Sequence, residues 1–213
     1  MLQEGDGLSA LDGVRPGWLP WWQAPGPEDI EAVSQQIGRP ARGVVAIAAR
    51  CRFGNPMVIA VAPLIDREPF PTTFWLTCPY LVECVSALES EGAIRRLAAQ
   101  VRSDPDFARK LGQAHRAAAE LRVQMAGETD LRRLEELSPR AASRVTQTGV
   151  AGIRHPSGIK CLHAHLADHL GRGFNPVGQQ VAALLASRGV DLRGSASCRF
   201  ERQLELRAAR PLQ

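Results

Sequence analysis

Val44-Val45-Ala46-Ile47-Ala48 and Met57-Val58-Ile59-Ala60-Val61 are short apolar runs rich in β-branched residues, separated by Arg50-Cys51-Arg52-Phe53-Gly54-Asn55-Pro56. Runs of this length bounded by turn residues read as buried strands. A third run, Thr72-Thr73-Phe74-Trp75-Leu76-Thr77, follows the stretch from Pro63 to Pro71. Parallel strands need a longer crossover than these links provide, so the three form an antiparallel meander. The predicted spans are about 43–49, 57–62 and 72–77.

Outside this sheet the signals are helical. Pro27-Glu28-Asp29 opens a helix with Ile30, Val33 and Ile37 on one face, and Gly38 closes it. Pro79 starts another after Cys78, lined by Leu81, Val82, Val85 and Leu88. Further helices are predicted from Ile94, from Pro105 to about Met125, over Leu131–Leu137, over 159–171 and over 176–189. The fold class is α+β, a small antiparallel three-stranded sheet packed with five to seven helices. Residues 1–27 form an irregular Trp/Pro/Gly-rich extension, 28–190 a single domain and 191–213 an Arg-rich tail.

A hydrophobic content of 45% and a charged content of 23% are those of a globular chain. The net charge of +4 comes almost wholly from arginine, since Lys110 and Lys160 are the only lysines. Arg95, Arg96, Arg102, Arg109, Arg116 and Arg122 alternate with acids, which reads as a solvated helix face and not as a nucleic-acid patch. No apolar run reaches the length of a membrane span, and the N-terminus lacks the basic and apolar regions of a secretory signal. Five cysteines, an odd number at low density, point to a reducing cytoplasm, with free thiols or metal ligands in place of disulfides.

The densest chemistry lies in Cys161-Leu162-His163-Ala164-His165-Leu166-Ala167-Asp168-His169. On a helix Cys161, His165 and His169 would share a face by their i,i+4 spacing, with Asp168 beside them. In an extended segment Cys161, His163 and His165 would share one. Thiolate and imidazole are ligands preferred by zinc. Cys51, in a turn between strands, and Cys78, at a helix N-terminus, occupy element ends where functional groups project. The expected metal ligands are therefore Cys51, Cys78, Cys161 and His163 or His165. Asp168 and His169 serve as supporting or alternative ligands. Zinc is the expected ion, and an iron–sulfur cluster the alternative. Cys84 and Cys198 read as structural, and His115 as a packed side chain. Arg50, Lys160 and Asn175 are candidate anion-binding residues, Asn175 because Asn175-Pro176 opens a helix.

Four segments carry a resemblance: Arg50–Pro56, Pro69–Pro79, Lys160-Cys161-Leu162-His163-Ala164-His165, and Asn175-Pro176-Val177-Gly178. In this order they resemble the bacterial, mainly actinobacterial, domain-of-unknown-function family 501, over about 29–180. The resemblance implies no settled activity. It embeds Cys51, Cys78 and Cys161 in family-like motifs and leaves Cys84 and Cys198 outside them. Ala119 departs from the pattern, standing where an aromatic is expected.

The sequence thus predicts a cytoplasmic metal-site protein, with water activated at an open metal position to hydrolyse a small anionic substrate. A metal-free thiol enzyme using Cys78 as nucleophile is the alternative. A third reading is a non-catalytic module that binds a protein partner through its tryptophan-rich extension and the Phe70–Trp75 segment.

Overall fold

The computed structural model describes residues 19–66, 68–195 and 198. Residues 1–18 of the N-terminal extension and 196–197 and 199–213 of the Arg-rich tail lie outside the described residues. The three predicted strands form one antiparallel sheet in the order β1 (Val44–Arg50), β2 (Pro56–Val61), β5 (Phe74–Leu76). β2 is central and buried along its whole length, which is why it reads as an uninterrupted apolar run. A small hairpin, β3 (Leu64–Ile65) and β4 (Glu68–Pro69), fills the link before β5.

Among the described residues, seven α-helices surround the sheet: α1 (Pro27–Ile37), α2 (Pro79–Ser90), α3 (Ala93–Ser103), α4 (Pro105–Leu137), α5 (Pro139–Thr146), α6 (Leu162–Arg172) and α7 (Pro176–Ser187). Pro occupies the first turn of α1, α2, α4, α5 and α7, where its missing N–H costs nothing. The helix predicted to end near Met125 and the short one predicted over Leu131–Leu137 adjoin within α4 and are divided at Gly127, whose φ of 72° and ψ of 163° are non-helical. α5 gave no signal strong enough to be predicted; Ser138 caps it by accepting from the Ala141 N–H.

α6 is the central helix, packed against α2, α7 and the strands β1, β2 and β5, with Leu162, Leu166 and Ala167 in the main core. Two glycines permit this. A Cβ on Gly171 would stand 2.7 Å from the Phe74 ring, and one on Gly178 of α7 would stand 2.2 Å from the His165 carbonyl oxygen. The indole N–H groups of Trp21 and Trp22 both donate to the Gly171 carbonyl, at 3.2 and 3.1 Å. Trp22 also packs edge-on against Phe74, and Gln23 bridges to Ile47. The described part of the N-terminal extension is thus docked on the domain.

Candidate functional site

α6 begins at Leu162, three residues later than the predicted start at 159. Cys161 is its N-cap, extended at φ −150° and ψ 121°, and Leu162 is the first helical residue. The i,i+4 stacking expected of Cys161, His165 and His169 therefore does not occur. Instead Cys161 Sγ lies 3.6 Å from His163 Nδ1 on the accessible side of the helix, while His165 turns inward and is fully buried.

His165 belongs to a network that fixes α6 in place. Asn175 caps α7 by accepting the Gly178 N–H on Oδ1, so its amide nitrogen faces the other way. That nitrogen donates to Asp168 Oδ2 at 2.8 Å. His165 Nδ1 lies 3.2 Å from Asn175 Oδ1 and 3.1 Å from its Nδ2, and burial pushes the His165 pKa down to about 4. Arg172 grips Asp168 through two bonds of 2.8 and 2.6 Å and donates to the Ala114 carbonyl of α4 at 3.1 Å. His115, also lowered by burial, uses both ring nitrogens to hold the 149–158 loop: Nε2 donates to Gly158 O, and Nδ1 accepts from the Val150 N–H. These groups are struts.

Arg122, read from sequence as part of a solvated face, is fully buried. Its guanidinium donates to the Val145, Thr148 and Gly149 carbonyls, closing the C-terminal end of α5 and the turn beyond it. Carbonyls at a helix C-terminus carry partial negative charge, which compensates the buried cation. Burial still lowers its pKa to about 10.

The accessible side of α6 carries a different grouping. His163 Nε2 lies 3.1 Å from the Val82 carbonyl and 3.2 Å from Ser86 Oγ, both on α2. A carbonyl only accepts, so Nε2 bears a proton and Nδ1 is the free nitrogen. Nδ1 faces Cys161 Sγ at 3.6 Å and Glu89 Oε1 at 3.4 Å. The same Glu89 oxygen accepts the Leu162 N–H at 2.6 Å, so α2 supplies the cap that Cys161 does not. Among the described residues, Glu89, Cys161 and His163 are the one group of three or more Cys, His, Asp or Glu ligand atoms within 4.8 Å of one another. A neutral His163 would set its Nδ1 lone pair against a carboxylate. A proton on Nδ1 or a cation between the three atoms removes that conflict, and the Cys161 hydrogen bond raises the His163 pKa accordingly.

The remaining predicted site residues are distributed elsewhere. Cys51 and Cys78 are buried and do not join Cys161 within ligand distance; their neighbour is Cys198, read from sequence as structural. Cys78 does cap α2, but burial pushes its thiol up to about 12, the reverse of an activated nucleophile. Arg50 is committed to Asp29 through bonds of 2.6 and 2.8 Å and also holds Gln23 and the Gly54 carbonyl. Asn175 is buried as a cap, and Asp168 is held by Arg172 and Asn175, so neither faces a ligand. His169 is half-buried, with its pKa lowered by burial. Lys160 is exposed, one residue from Cys161. The aromatics of the Phe70–Trp75 segment serve the fold: Trp75 packs on Phe70 and lies under Arg39.

Glu89 was missed because a single acid on an amphipathic helix looks like any other solvated side chain. A cavity of about 480 Å³ between α4 and the 146–156 segment, lined by Arg116, Ala119, Gln124 and Arg154 among others, does not include the Glu89–Cys161–His163 group. Ala119, the departure from the expected pattern, lines that cavity.

Fold and site define an α+β protein built around one buried helix with a Cys/His/Glu group at its N-terminal end. The family model described as "Protein of unknown function (DUF501)" matches residues 47–183, and the chain belongs to that family. No curated protein and no solved structure matches the chain. No helix among the described residues is long and apolar enough to cross a membrane.

Proposed function

We propose that Glu89, Cys161 and His163 hold a single zinc ion, and that the protein is a hydrolase of small anionic substrates. The observation that carries this reading is the convergence of three acceptor atoms of different chemistry on one point. Zinc bonds of about 2.0–2.3 Å in a tetrahedron place ligand atoms roughly 3.3–3.8 Å apart. The sulfur–nitrogen and nitrogen–oxygen separations are 3.6 and 3.4 Å. The Val82 carbonyl fixes the His163 tautomer from behind, as the outer partner of a metal-bound imidazole does. Three protein ligands leave the fourth position to water, whose acidity the ion would raise towards neutral pH. Lys160 is placed to attract an anion. Five free cysteines suit a cytoplasmic setting.

Metal analysis of untagged protein tests the reading. A metal content lower than wild type by one equivalent of zinc in both Cys161→Ala and His163→Ala, with folding intact, is the expected result; a metal content unchanged in both variants refutes it. A metal-free thiol enzyme, now using Cys161 in place of Cys78, is favoured by one observation, the pairing of Cys161 at the α6 N-terminus with His163. Iodoacetamide labelling of metal-free protein against pH decides it. A Cys161 that reacts only as an ordinary thiol excludes that reading.

A further inference from the structure

Cys51, Cys78 and Cys198 arrive from three distant parts of the chain and are buried together. Cys51 opens the β1–β2 turn, its N–H donating to the Asn55 carbonyl at 3.0 Å. Cys78 ends the stretch after β5 and caps α2. Cys198 is delivered by the C-terminal segment, which is fastened to the same turn at several points. The Arg52 N–H donates to the Arg193 carbonyl at 2.8 Å, Asn55 Nδ2 donates to the Cys198 carbonyl at 2.7 Å, and Arg52 pairs with Asp191.

Gly194 brings the sulfurs together. Its φ of 104° is one that side-chain-bearing residues rarely adopt, and a Cβ there would stand 2.9 Å from Cys51 Cβ. The same position is 3.5 Å from Cys198 Sγ and 3.8 Å from Cys51 Sγ, so both sulfurs lie against this glycine. Cys78 is buried in the same core cluster as both, and its thiol is near enough to Cys198 and Cys51 for each to influence it electrostatically. All three residues are nearly inaccessible, at 6%, 2% and 3% exposure.

From this convergence we infer a second metal centre, in which Cys51, Cys78 and Cys198 bind a thiophilic cation, zinc in the first instance. Soft thiolate ligands select such ions over harder ones. The sulfurs are spread wider than ligands around one ion, since the trio is not among the groups within 4.8 Å. A staggered χ1 change moves a cysteine sulfur by about 3 Å and is the adjustment that closes them. Without a cation, burial and neighbouring thiols hold Cys78 protonated; binding would displace the protons and make affinity fall as pH falls. The centre would also tie the C-terminal segment to the β1–β2 turn and to α2.

This inference does not depend on the Glu89–Cys161–His163 site, and cobalt titration of the full, metal-free chain under reducing conditions separates the two. Cobalt bound to this trio shows intense sulfur-to-metal charge transfer that persists in Cys161→Ala and disappears in Cys78→Ala and Cys198→Ala. Zinc-edge X-ray absorption of the Cys161→Ala protein, in which the trio is untouched, should count three sulfur neighbours. If the Glu89 site fails and this one stands, one equivalent remains and is indifferent to Cys161→Ala. An iron–sulfur cluster taken up by the same three cysteines on anaerobic reconstitution supports the centre and changes its occupant. Folded Cys78→Ala and Cys198→Ala variants that bind as much cobalt as wild type overturn it. So does a reduced wild-type chain whose only bound ion is lost in Cys161→Ala.

Discussion

Glu89 accepts the backbone N–H of Leu162 at 2.6 Å, and so caps a helix to which it does not belong. The contact joins α2 to α6 across 73 residues of sequence and places a carboxylate beside Cys161 and His163. Capping and the proposed ligation therefore fall to one side chain, and substitutions can part them.

Glu89→Ala removes the cap and should cost about 1 kcal/mol, the usual value of a lost N-cap acceptor. Glu89→Gln keeps an oxygen for the Leu162 N–H and should stay within a few tenths of wild type in urea unfolding. Both variants should bind zinc more weakly, by 10-fold or more. A Glu89→Gln protein with undiminished zinc affinity would leave Glu89 a cap alone.

His163 gives metal-free protein a pH dependence of definite sign. Its folded pKa is raised above the ordinary imidazole value of 6.5 by the Cys161 hydrogen bond, so folding favours the protonated ring. That stabilisation is fully present below pH 6.5 and is lost as pH rises through the folded value. NMR titration of the ring should show the raised midpoint, and metal binding should remove the titration by occupying Nδ1.

His165 works in the opposite direction. Its folded pKa lies at about 4, below the unfolded value, so the unfolded chain takes up the proton first as pH falls from 6.5. Acidification from 6.5 to 4 should withdraw stability on the order of 3 kcal/mol from this group, with His115 adding in the same sense. Acid unfolding of His165→Gln compared with wild type reads the difference; identical pH profiles would contradict it.

Asp168→Ala strands Arg172, whose side chain is 9% exposed, without its carboxylate. Removing one partner of a buried pair costs roughly 3–5 kcal/mol. The same change takes from Asn175 its 2.8 Å acceptor, so the α6–α7 junction should show the first loss of hydrogen-exchange protection.

Gly178→Ala should be as damaging as the charge deletion, because the new Cβ meets the His165 carbonyl at 2.2 Å and His169 Cβ at 2.5 Å. Neither backbone nor Cβ can swing aside, so α6 and α7 must separate. A loss of about 3 kcal/mol in urea unfolding is expected.

The sequence alone was enough for the three strands and for most of the helices, because hydrophobic period and Pro or Gly boundaries are local properties. It also singled out residues 161–169, and within them the neighbouring pair Cys161 and His163. Tertiary structure decided the rest. The start of α6 at Leu162 turned His163 outward to Cys161 and His165 inward to Asn175. Glu89 and Cys198 joined their groups only through long-range packing, and neither has a pattern around it that marks a ligand. Arg122 changed from a supposed solvated side chain to a fully buried one because the carbonyls that stabilise its charge lie at the end of α5 and in the turn beyond it, up to 27 residues away. Periodicity reports which face of an element is apolar; which polar groups meet across two elements is set by the packing of those faces.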